Sequence, residues 1–420
     1  MDDIASSKSS QGPSRDAFAE KYAKYFGVRR MDLIRKSGRW MVEDHAEGAY
    51  IHDTEGRRFL DFFVSSGVFN LGHRHPAMMA AMKQGLETYE FGNLLYFSEP
   101  KGRLAELLAT TMPEGLEVVL PTVTGSEAVD LALKMAMGAT GRKQIIHFDH
   151  TYHGCTGFST ALGPDAIRTW AGIENSNFAK VPYGDLDAVR KLISEQTAAV
   201  IVEIVRSNFD GCDPGREFFS ALRRACDDAG ALMIVDEVVT GLGRLGTLWG
   251  TEYQDARPDI VTTAKALSGG VFPIGAVVMK PAILDCWGEH AYRSFSTYAW
   301  SSVGAHVACA AIEETRKLLP EANEAAARFE VALQDLRSRH PDKIDSVRRM
   351  GLLFAIDLNP DKLRALEFAT RMFHRGVVMP PAAISMPTSA VARLLPPLIL
   401  NDEHIAEFID KADDALRSGA

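Results

Sequence analysis

The 420-residue sequence lacks the marks of several classes of protein. It contains no apolar run of roughly 18 residues or more, so no transmembrane helix is predicted. The net charge of −9 is spread along the chain without a long basic run, which argues against nucleic acid or an anionic membrane as the main partner. Residues 1–15 are acidic and then Ser-rich without an apolar core. They are predicted to form a flexible tail rather than a secretory signal.

Cysteine and metal-binding patterns are also missing. The five cysteines are an odd number, lie far apart and form no CxxC pair. This favours reduced thiols in a cytoplasmic protein over disulfides or structural zinc. His147, His150 and His153 are three residues apart, but the spacing crosses a predicted strand end and a loop, where it does not place the rings on one face. No metal site is therefore predicted.

What is present is the pattern of a globular α/β protein. Hydrophobic residues make up 46% of the chain and charged residues 24%, which is ordinary for a folded protein. In the middle of the chain, runs that are apolar throughout alternate with helical stretches, and this predicts a mostly parallel sheet covered by helices on both faces. The apolar runs are 116–121, 144–148, 198–205, 231–236 and 274–279.

The two ends of the chain have a different character. Residues from about Ala17 to Lys36 are predicted to be helical, and the short strands that follow are too few to form a domain alone. The part after about Gly304 is a long helical region followed by further strands and helices. We therefore predict a tail (1–15), a large domain (76–310), and a smaller α+β domain built from 16–75 and 311–420.

Asp236 and Lys265 each follow a predicted buried strand. In open α/β sheets ligands bind at the carboxyl ends of strands, and a carboxylate there needs a partner such as a protonated ring nitrogen. The alternative for Asp236 is a helix cap or a salt bridge to Arg244. Burial at Lys265 is expected to lower the pKa of its amine, which favours Schiff-base chemistry. The alternative for Lys265 is a surface lysine on a turn.

Two further segments suit a flat, phosphorylated ligand. Gly125 and Ser126 open a predicted helix after a strand, where free backbone N–H groups and a hydroxyl bind phosphate. The alternative is an ordinary helix cap. Tyr152 and His153 lie just beyond the strand at 144–148, where an aromatic side chain can stack on a ring.

Taken together, these segments resemble the class III aminotransferases of pyridoxal-phosphate fold type I. The resemblance runs from about Tyr50 to Asp410 and keeps the order and spacing of the family's motifs. The segments that carry it are "DFFVSSGVFNLGHRHP" (61–76), "TGSEAVDLALKMA" (124–136), "DEVVTGLGRLG" (236–246), "PDIVTTAKALSGGVFPIGA" (258–276) and "RLLPPLIL" (393–400).

The resemblance implies a large domain with a mostly parallel seven-stranded sheet, pyridoxal 5′-phosphate as cofactor, and a homodimer with shared active sites. The substrates would be an amino donor and a carbonyl acceptor. Lys265 would hold the cofactor as a Schiff base and carry the proton shift, and Asp236 would pair with the pyridine nitrogen. Thr297 would reach the phosphate in the neighbouring subunit. The other cofactor residues would be Gly125, Ser126, Tyr152, His153, Glu203 and Val239.

The sequence departs from the family where substrate is bound. Many members have Arg directly after "YHG", whereas this chain has Cys155, and "EIVRSNFDG" (203–211) replaces "EPIQGEGG". Arg393 matches the family arginine that often binds an α-carboxylate; its alternative is a surface ion pair. These departures predict a remodelled pocket and a specialised biosynthetic pathway. The predicted substrate residues are Val68, Phe69, Trp300 and Arg393.

Other functions on the same scaffold remain open. An amino-acid racemase, epimerase or aminomutase would also need Lys265, with Tyr152, His153 or Cys155 as a second proton carrier. A decarboxylase or lyase is a third possibility. The presence of both Lys265 and Asp236 argues against a cofactor-binding protein without catalysis. The scattered cysteines argue against a metalloprotein. Transamination is the function that the sequence favours.

Overall fold

The structure is a computed structural model that describes residues 15–92, 95–173, 176–290, 293–380 and 389–417. The predicted tail, apart from Arg15, lies outside these ranges. Within them no helix is both long and apolar enough to cross a membrane.

The described ranges hold fourteen strands and fifteen α-helices, with short 3-10 helices at Lys265–Ser268 and Asp285–Trp287. The strands are β1 (Glu43–Glu47), β2 (Tyr50–Asp53), β3 (Arg58–Asp61), β4 (Val118–Thr122), β5 (Gln144–Phe148), β6 (Phe178–Val181), β7 (Thr197–Glu203), β8 (Leu232–Asp236), β9 (Ile260–Thr263), β10 (Gly275–Met279), β11 (Ile344–Met350), β12 (Leu353–Leu358), β13 (Val377–Val378) and β14 (Val391–Leu394). The helices are α1 (Arg15–Phe26), α2 (Val28–Lys36), α3 (Val64–Gly67), α4 (Pro76–Thr88), α5 (Glu99–Thr111), α6 (Gly125–Thr140), α7 (Gly157–Ala161), α8 (Asp165–Ala171), α9 (Leu186–Leu192), α10 (Arg216–Ala229), α11 (Gly250–Gln254), α12 (Pro281–Leu284), α13 (Ser302–Arg339), α14 (Ala365–His374) and α15 (Asp402–Arg417).

The predicted mostly parallel sheet is confirmed. Its seven strands run in the order β4-β10-β9-β8-β7-β5-β6, and only β10 is antiparallel to its neighbours. All seven residues of β7 are buried, as expected for a central strand with helices on both faces. The side chains of alternate residues enter two separate cores, so Val200 and Val202 lie in one core and Ala199 and Ile201 in the other.

Two smaller sheets combine segments from the ends of the chain. The first has the order β1-β2-β3-β13, and the parallel pairing of Val377 with Leu60 joins a late strand to an early one. The second has the order β11-β12-β14. The 38-residue helix α13 connects the large sheet with the later strands and passes through residue 310, the predicted domain boundary.

The helical character predicted for residues 17–36 is confirmed. The structure divides this stretch into two helices, α1 and α2, separated at Gly27. The backbone of Gly27 has φ 106°, a conformation that glycine tolerates and that an α-helix excludes.

Four phenylalanines form the centre of the core beneath the smaller sheets. The ring of Phe329 on α13 lies 4.9 Å from that of Phe354, 5.3 Å from that of Phe408 and 5.6 Å from that of Phe62, measured between centroids. All four side chains are fully buried. Because they come from β3 and its following loop, α13, β12 and α15, this cluster ties together segments that are far apart in sequence.

We expect Phe329→Ala to lower the free energy of unfolding by about 3–5 kcal/mol, since it leaves a cavity among three other rings. Val331→Ala is the matched control, because Val331 lies on the same helix and is 70% exposed. Urea unfolding followed by circular dichroism measures both. Equal destabilisation by the two substitutions would contradict this description of the core.

Candidate active site

A cavity of about 430 Å³ lies at the carboxyl edge of the large sheet. It collects residues from the ends of β7, β8 and β9, from the start of α6, and from the loops after β5 and before β10. Of the residues predicted from the sequence to form the site, those that line this cavity are Val68, Gly125, Ser126, Tyr152, His153, Glu203, Asp236, Val239 and Lys265.

Lys265 begins a 3-10 helix directly after β9 and lines this cavity. Its backbone has φ 49°, a strained conformation for a residue with a side chain, which the surrounding structure has to maintain. Lys265 is half-buried at the cavity wall, and its amine is partly removed from water. This desolvation lowers the pKa of Lys265, and the charges of Asp236 and Glu203 oppose the effect only in part. The amine is therefore shifted towards its neutral, nucleophilic form.

Asp236 is the last residue of β8, and its buried carboxylate has three hydrogen-bond partners in the protein. Oδ2 lies 2.7 Å from Nδ1 of His153, and Oδ1 accepts hydrogen bonds from the backbone N–H of Val238 (3.0 Å) and the hydroxyl of Thr262 (3.3 Å). The alternative salt bridge to Arg244 is not formed. These partners hold the carboxylate in one orientation at the cavity wall.

Arg244 instead is buried away from Asp236. Its guanidinium donates to the side chain of Asn70 and to the backbone carbonyls of Leu352 and Pro396. Burial lowers the pKa of Arg244 to about 9. Arg244 therefore links the turn after β8 to the loop after β14 and leaves Asp236 available for a ligand.

The N-terminus of α6 forms an anion cradle at the other end of the cavity. Thr124 caps the helix by accepting from the N–H of Glu127 (3.2 Å), and Glu127 in return accepts from the N–H of Val123 (2.7 Å). The N–H groups of Gly125 and Ser126 form no backbone hydrogen bond among the described residues. Unsatisfied N–H groups at the start of a 16-residue helix favour a bound phosphate.

Gly154 brings the loop after β5 against this cradle. Its backbone has φ +114°, and a Cβ added there would lie 2.4 Å from Oγ of Ser126. Oγ of Ser126 also accepts from the N–H of Cys155 at 3.3 Å. The loop thus fixes the Ser126 hydroxyl beside the helix start.

Glu203 is the second buried carboxylate of the cavity. Oε1 accepts from the N–H of Tyr152 (2.8 Å) and Oε2 from the hydroxyl of Ser207 (2.9 Å). Burial raises the pKa of Glu203 despite these donors. The Tyr152 ring lies at the mouth, where burial and the Cys155 thiol raise the pKa of its hydroxyl to about 12. The Tyr152 hydroxyl is therefore protonated at neutral pH.

Four predicted residues lie outside the cavity lining. Phe69 packs with Val239 behind the cavity, and Trp300 is buried with its indole N–H donating to the carbonyl of Gly275 at 2.8 Å. Arg393 is buried and donates to the carbonyl of Ser207 at 2.5 Å, so its alternative as a surface ion pair is excluded. Thr297 is exposed.

Sequence reasoning missed part of the lining. Ser268 and the segment 270–274, which includes Phe272, also line the cavity. They directly follow Lys265 in the segment "KALSGGVFPIG", so their nearness in sequence was the available signal. Among the described residues no group of His, Cys, Asp and Glu side chains is arranged to hold a metal ion.

Comparison with known proteins agrees with this geometry. The family model described as "Aminotransferase class-III" matches residues 35–416. An uncharacterized aminotransferase of Archaeoglobus fulgidus is 34% identical over 399 residues, covering 94% of this chain and 93% of that protein. The acetylornithine aminotransferase of Methanopyrus kandleri is also 34% identical, over 377 residues, with 89% of this chain and 93% of that protein covered.

A solved structure shares the whole architecture. The transaminase from the marine bacterium Virgibacillus superposes with a TM-score of 0.86 at 26% identity, covering 95% of this chain and 98% of the other. A match of this extent shows that the two chains share their fold. The chain belongs to the class III aminotransferases and is a pyridoxal-phosphate-dependent aminotransferase.

Proposed function

We propose that the enzyme moves an amino group from an amino donor to a ketone or aldehyde acceptor through the amine of Lys265, which would bond to the aldehyde of pyridoxal phosphate. The observation that carries the proposal is the meeting of three groups in one cavity: an amine with a lowered pKa, a buried carboxylate and an anion cradle. No single one of these features would be specific.

The residues fit the cofactor. The cradle of Gly125 and Ser126 suits its phosphate, and Asp236 suits a protonated pyridine nitrogen, because the carboxylate is buried and already oriented by other donors. Val239 and Tyr152 supply apolar and aromatic surface for the ring faces. When bound, pyridoxal phosphate supplies an aldehyde that condenses with amines and a ring that withdraws electrons from the substrate.

The chain's own groups then divide the remaining work. Asp236 holds positive charge in the cavity, and His153 holds Asp236 in place. The neutral amine of Lys265 takes a proton from the substrate carbon and returns it to another atom, as a general base and acid. Glu203 anchors the backbone of Tyr152 and so places the ring at the cavity mouth.

For substrate binding we propose Val68, which lines the cavity, and Arg393, while Phe69 and Trp300, which lie outside the lining, would shape the pocket through the residues they contact. Arg393 is the candidate for an amino donor's carboxylate, and for this role its guanidinium has to share or exchange its bond to Ser207. One relative is named an acetylornithine aminotransferase. Cys155 stands here where many members that use acetylornithine or glutamate have arginine, which supports a different acceptor and a specialised biosynthetic pathway.

We propose that the enzyme is a homodimer in the cytoplasm. Large hydrophobic side chains are exposed at Leu95, Tyr96, Phe97, Phe295 and Tyr298. Exposed apolar surface of this kind is typical of an interface. Thr297 is also exposed and lies between Phe295 and Tyr298 in the sequence, which supports its role at the phosphate of a second subunit. The five cysteines are free thiols, which suits a reducing compartment.

The central test is the absorbance of the purified holoenzyme during addition of single amino donors. We expect a visible band that bleaches with the correct donor, and no such band in Lys265→Ala, whose turnover should fall by roughly 10²- to 10⁴-fold or more. Lys134→Ala, at an exposed site on α6, is the control. A band that responds to donors without bleaching would favour the racemase or mutase, and an active Lys265→Ala enzyme would contradict the mechanism.

The phosphate cradle makes a separate prediction. Gly154→Ala should weaken pyridoxal-phosphate binding by about 10- to 100-fold, because backbone strain of about 1–3 kcal/mol and the contact with Ser126 both displace the cradle. Gly141→Ala is matched, since Gly141 also has positive φ (+69°) but nothing within 4 Å of an added Cβ. Fluorescence titration of the apoenzyme gives both dissociation constants. Equal affinities in the two variants would place the phosphate elsewhere.

The shared active site predicts complementation between inactive chains. A heterodimer of one Lys265→Ala chain and one Thr297→Ala chain has one site with both native residues. We expect it to regain up to about half of the wild-type activity. The heterodimer can be isolated by co-expression with two different affinity tags. Activity equal to the mean of the two parent homodimers would show that Thr297 serves its own chain or neither.

A further inference from the structure

His147 lies inside the large sheet and has no hydrogen-bond partner for either ring nitrogen in the part of the chain that the structure describes. Its side chain is fully buried on β5. Burial lowers the pKa of His147 to about 3, with a smaller effect from His153, so the ring is neutral at physiological pH. A buried neutral imidazole still has one N–H and one lone pair, and both need partners.

The strand register places His147 behind the carboxylates of the active site. Its neighbours Ile146 and Phe148 enter one core, so His147 faces the other side of the sheet. His147 pairs with Ile201 on β7, two residues before Glu203, and Glu203 pairs with Asp236 on β8. His147 therefore lies on the same face as both carboxylates, one pleat further from the edge.

His153 is the neighbour with a matching need. Its Nδ1 faces Oδ2 of Asp236 at 2.7 Å, while its Nε2 is buried without a partner among the described residues. An ionised carboxylate only accepts hydrogen bonds, so Nδ1 of His153 carries the proton. Nε2 is then the ring nitrogen of His153 that still requires a partner.

The charged groups around His147 do not meet this need. Lys180 on β6 forms ion pairs with Asp149 (3.5 Å) and Asp165 (3.0 Å), and Arg168 on α8 also pairs with Asp165. Their positive charges disfavour protonation of His147, and Asp149 favours it. None of them forms a hydrogen bond with the His147 ring within the described ranges.

We propose that His147 is a positioning residue for Asp236. Its neutral ring binds Nε2 of His153 through one water molecule, which forms a hydrogen bond with a ring nitrogen of each histidine. This fixes the proton of His153 on Nδ1, and with it the orientation of the Asp236 carboxylate. The inference rests on the proposed pairing of Asp236 with the pyridine nitrogen and extends it to the groups behind that carboxylate.

An apolar residue at position 147 removes the ring nitrogen that binds the bridging water molecule. The His153 ring then gains freedom to rotate or to shift its proton to Nε2, and its hydrogen bond to Asp236 weakens. An Asp236 carboxylate that is less well oriented pairs more weakly with a protonated pyridine nitrogen. With less positive charge on the ring, a proton on the Lys265 nitrogen is lost only at higher pH. The pH midpoint of the visible absorbance band reports this change directly.

The test is a pH titration of the visible band in wild-type holoenzyme, His147→Leu and His147→Gln. We expect the midpoint of His147→Leu to rise by about half a pH unit or more, and His147→Gln, which keeps a donor and an acceptor, to stay near wild type. His147→Phe is a second apolar variant of similar shape. A solely structural role would change the melting temperature and leave the midpoints equal, which would overturn the proposal.

A double-mutant cycle with His153→Phe isolates the route. If His147 acts through His153, adding His147→Leu to His153→Phe moves the midpoint no further, whereas additive shifts would overturn the relay. Failure of the proposed function would give a different result from failure of the His147 proposal, because wild-type protein would then show no visible band with pyridoxal phosphate. A wild-type band with unchanged midpoints in both apolar variants contradicts the role of His147 alone.

Discussion

The site depends on keeping an amine and two carboxylates together at the edge of a sheet whose interior is apolar. Lys265, Asp236 and Glu203 follow or end neighbouring strands, so parallel register alone brings them to one cavity. Removing such groups from water is costly unless each has specific partners. The hydrogen bonds of this region satisfy the carboxylates almost completely, while the amine of Lys265 is left with a lowered pKa.

Because the carboxylates are satisfied from behind, they are oriented towards the cavity. Asp236 receives donors from His153, Val238 and Thr262, which belong to three different segments. Glu203 receives its donors from Tyr152 and Ser207. A carboxylate held in this way does not have to reorganise when a cationic ring nitrogen arrives, and such preorganisation is the main way in which proteins stabilise charge.

The sequence predicted the parts of the molecule that depend on local pattern. Apolar runs predicted the parallel sheet, and the positions of Asp236 and Lys265 after such runs predicted that they share one edge. Contacts between distant segments have no local signal. The hydrogen bonds from Trp300 to the carbonyl of Gly275 and from Arg393 to the carbonyl of Ser207 are two examples. The position of His147 is a third, because in the sequence it is one polar residue within an apolar run.

The loop after β7 shows how a departure from the family's motif becomes a structural constraint. Arg206, which stands where the family has glutamine, holds Asp210 through Nε at 2.8 Å. Arg348 donates to the carbonyls of Asp210 and Gly211, and Arg393 to that of Ser207. The guanidinium groups of Arg206, Arg348 and Arg393 thus fix the short loop that follows Glu203 and lies against β12. Because the loop begins directly after Glu203, which lines the cavity, these three side chains hold the segment next to the cavity wall in one arrangement.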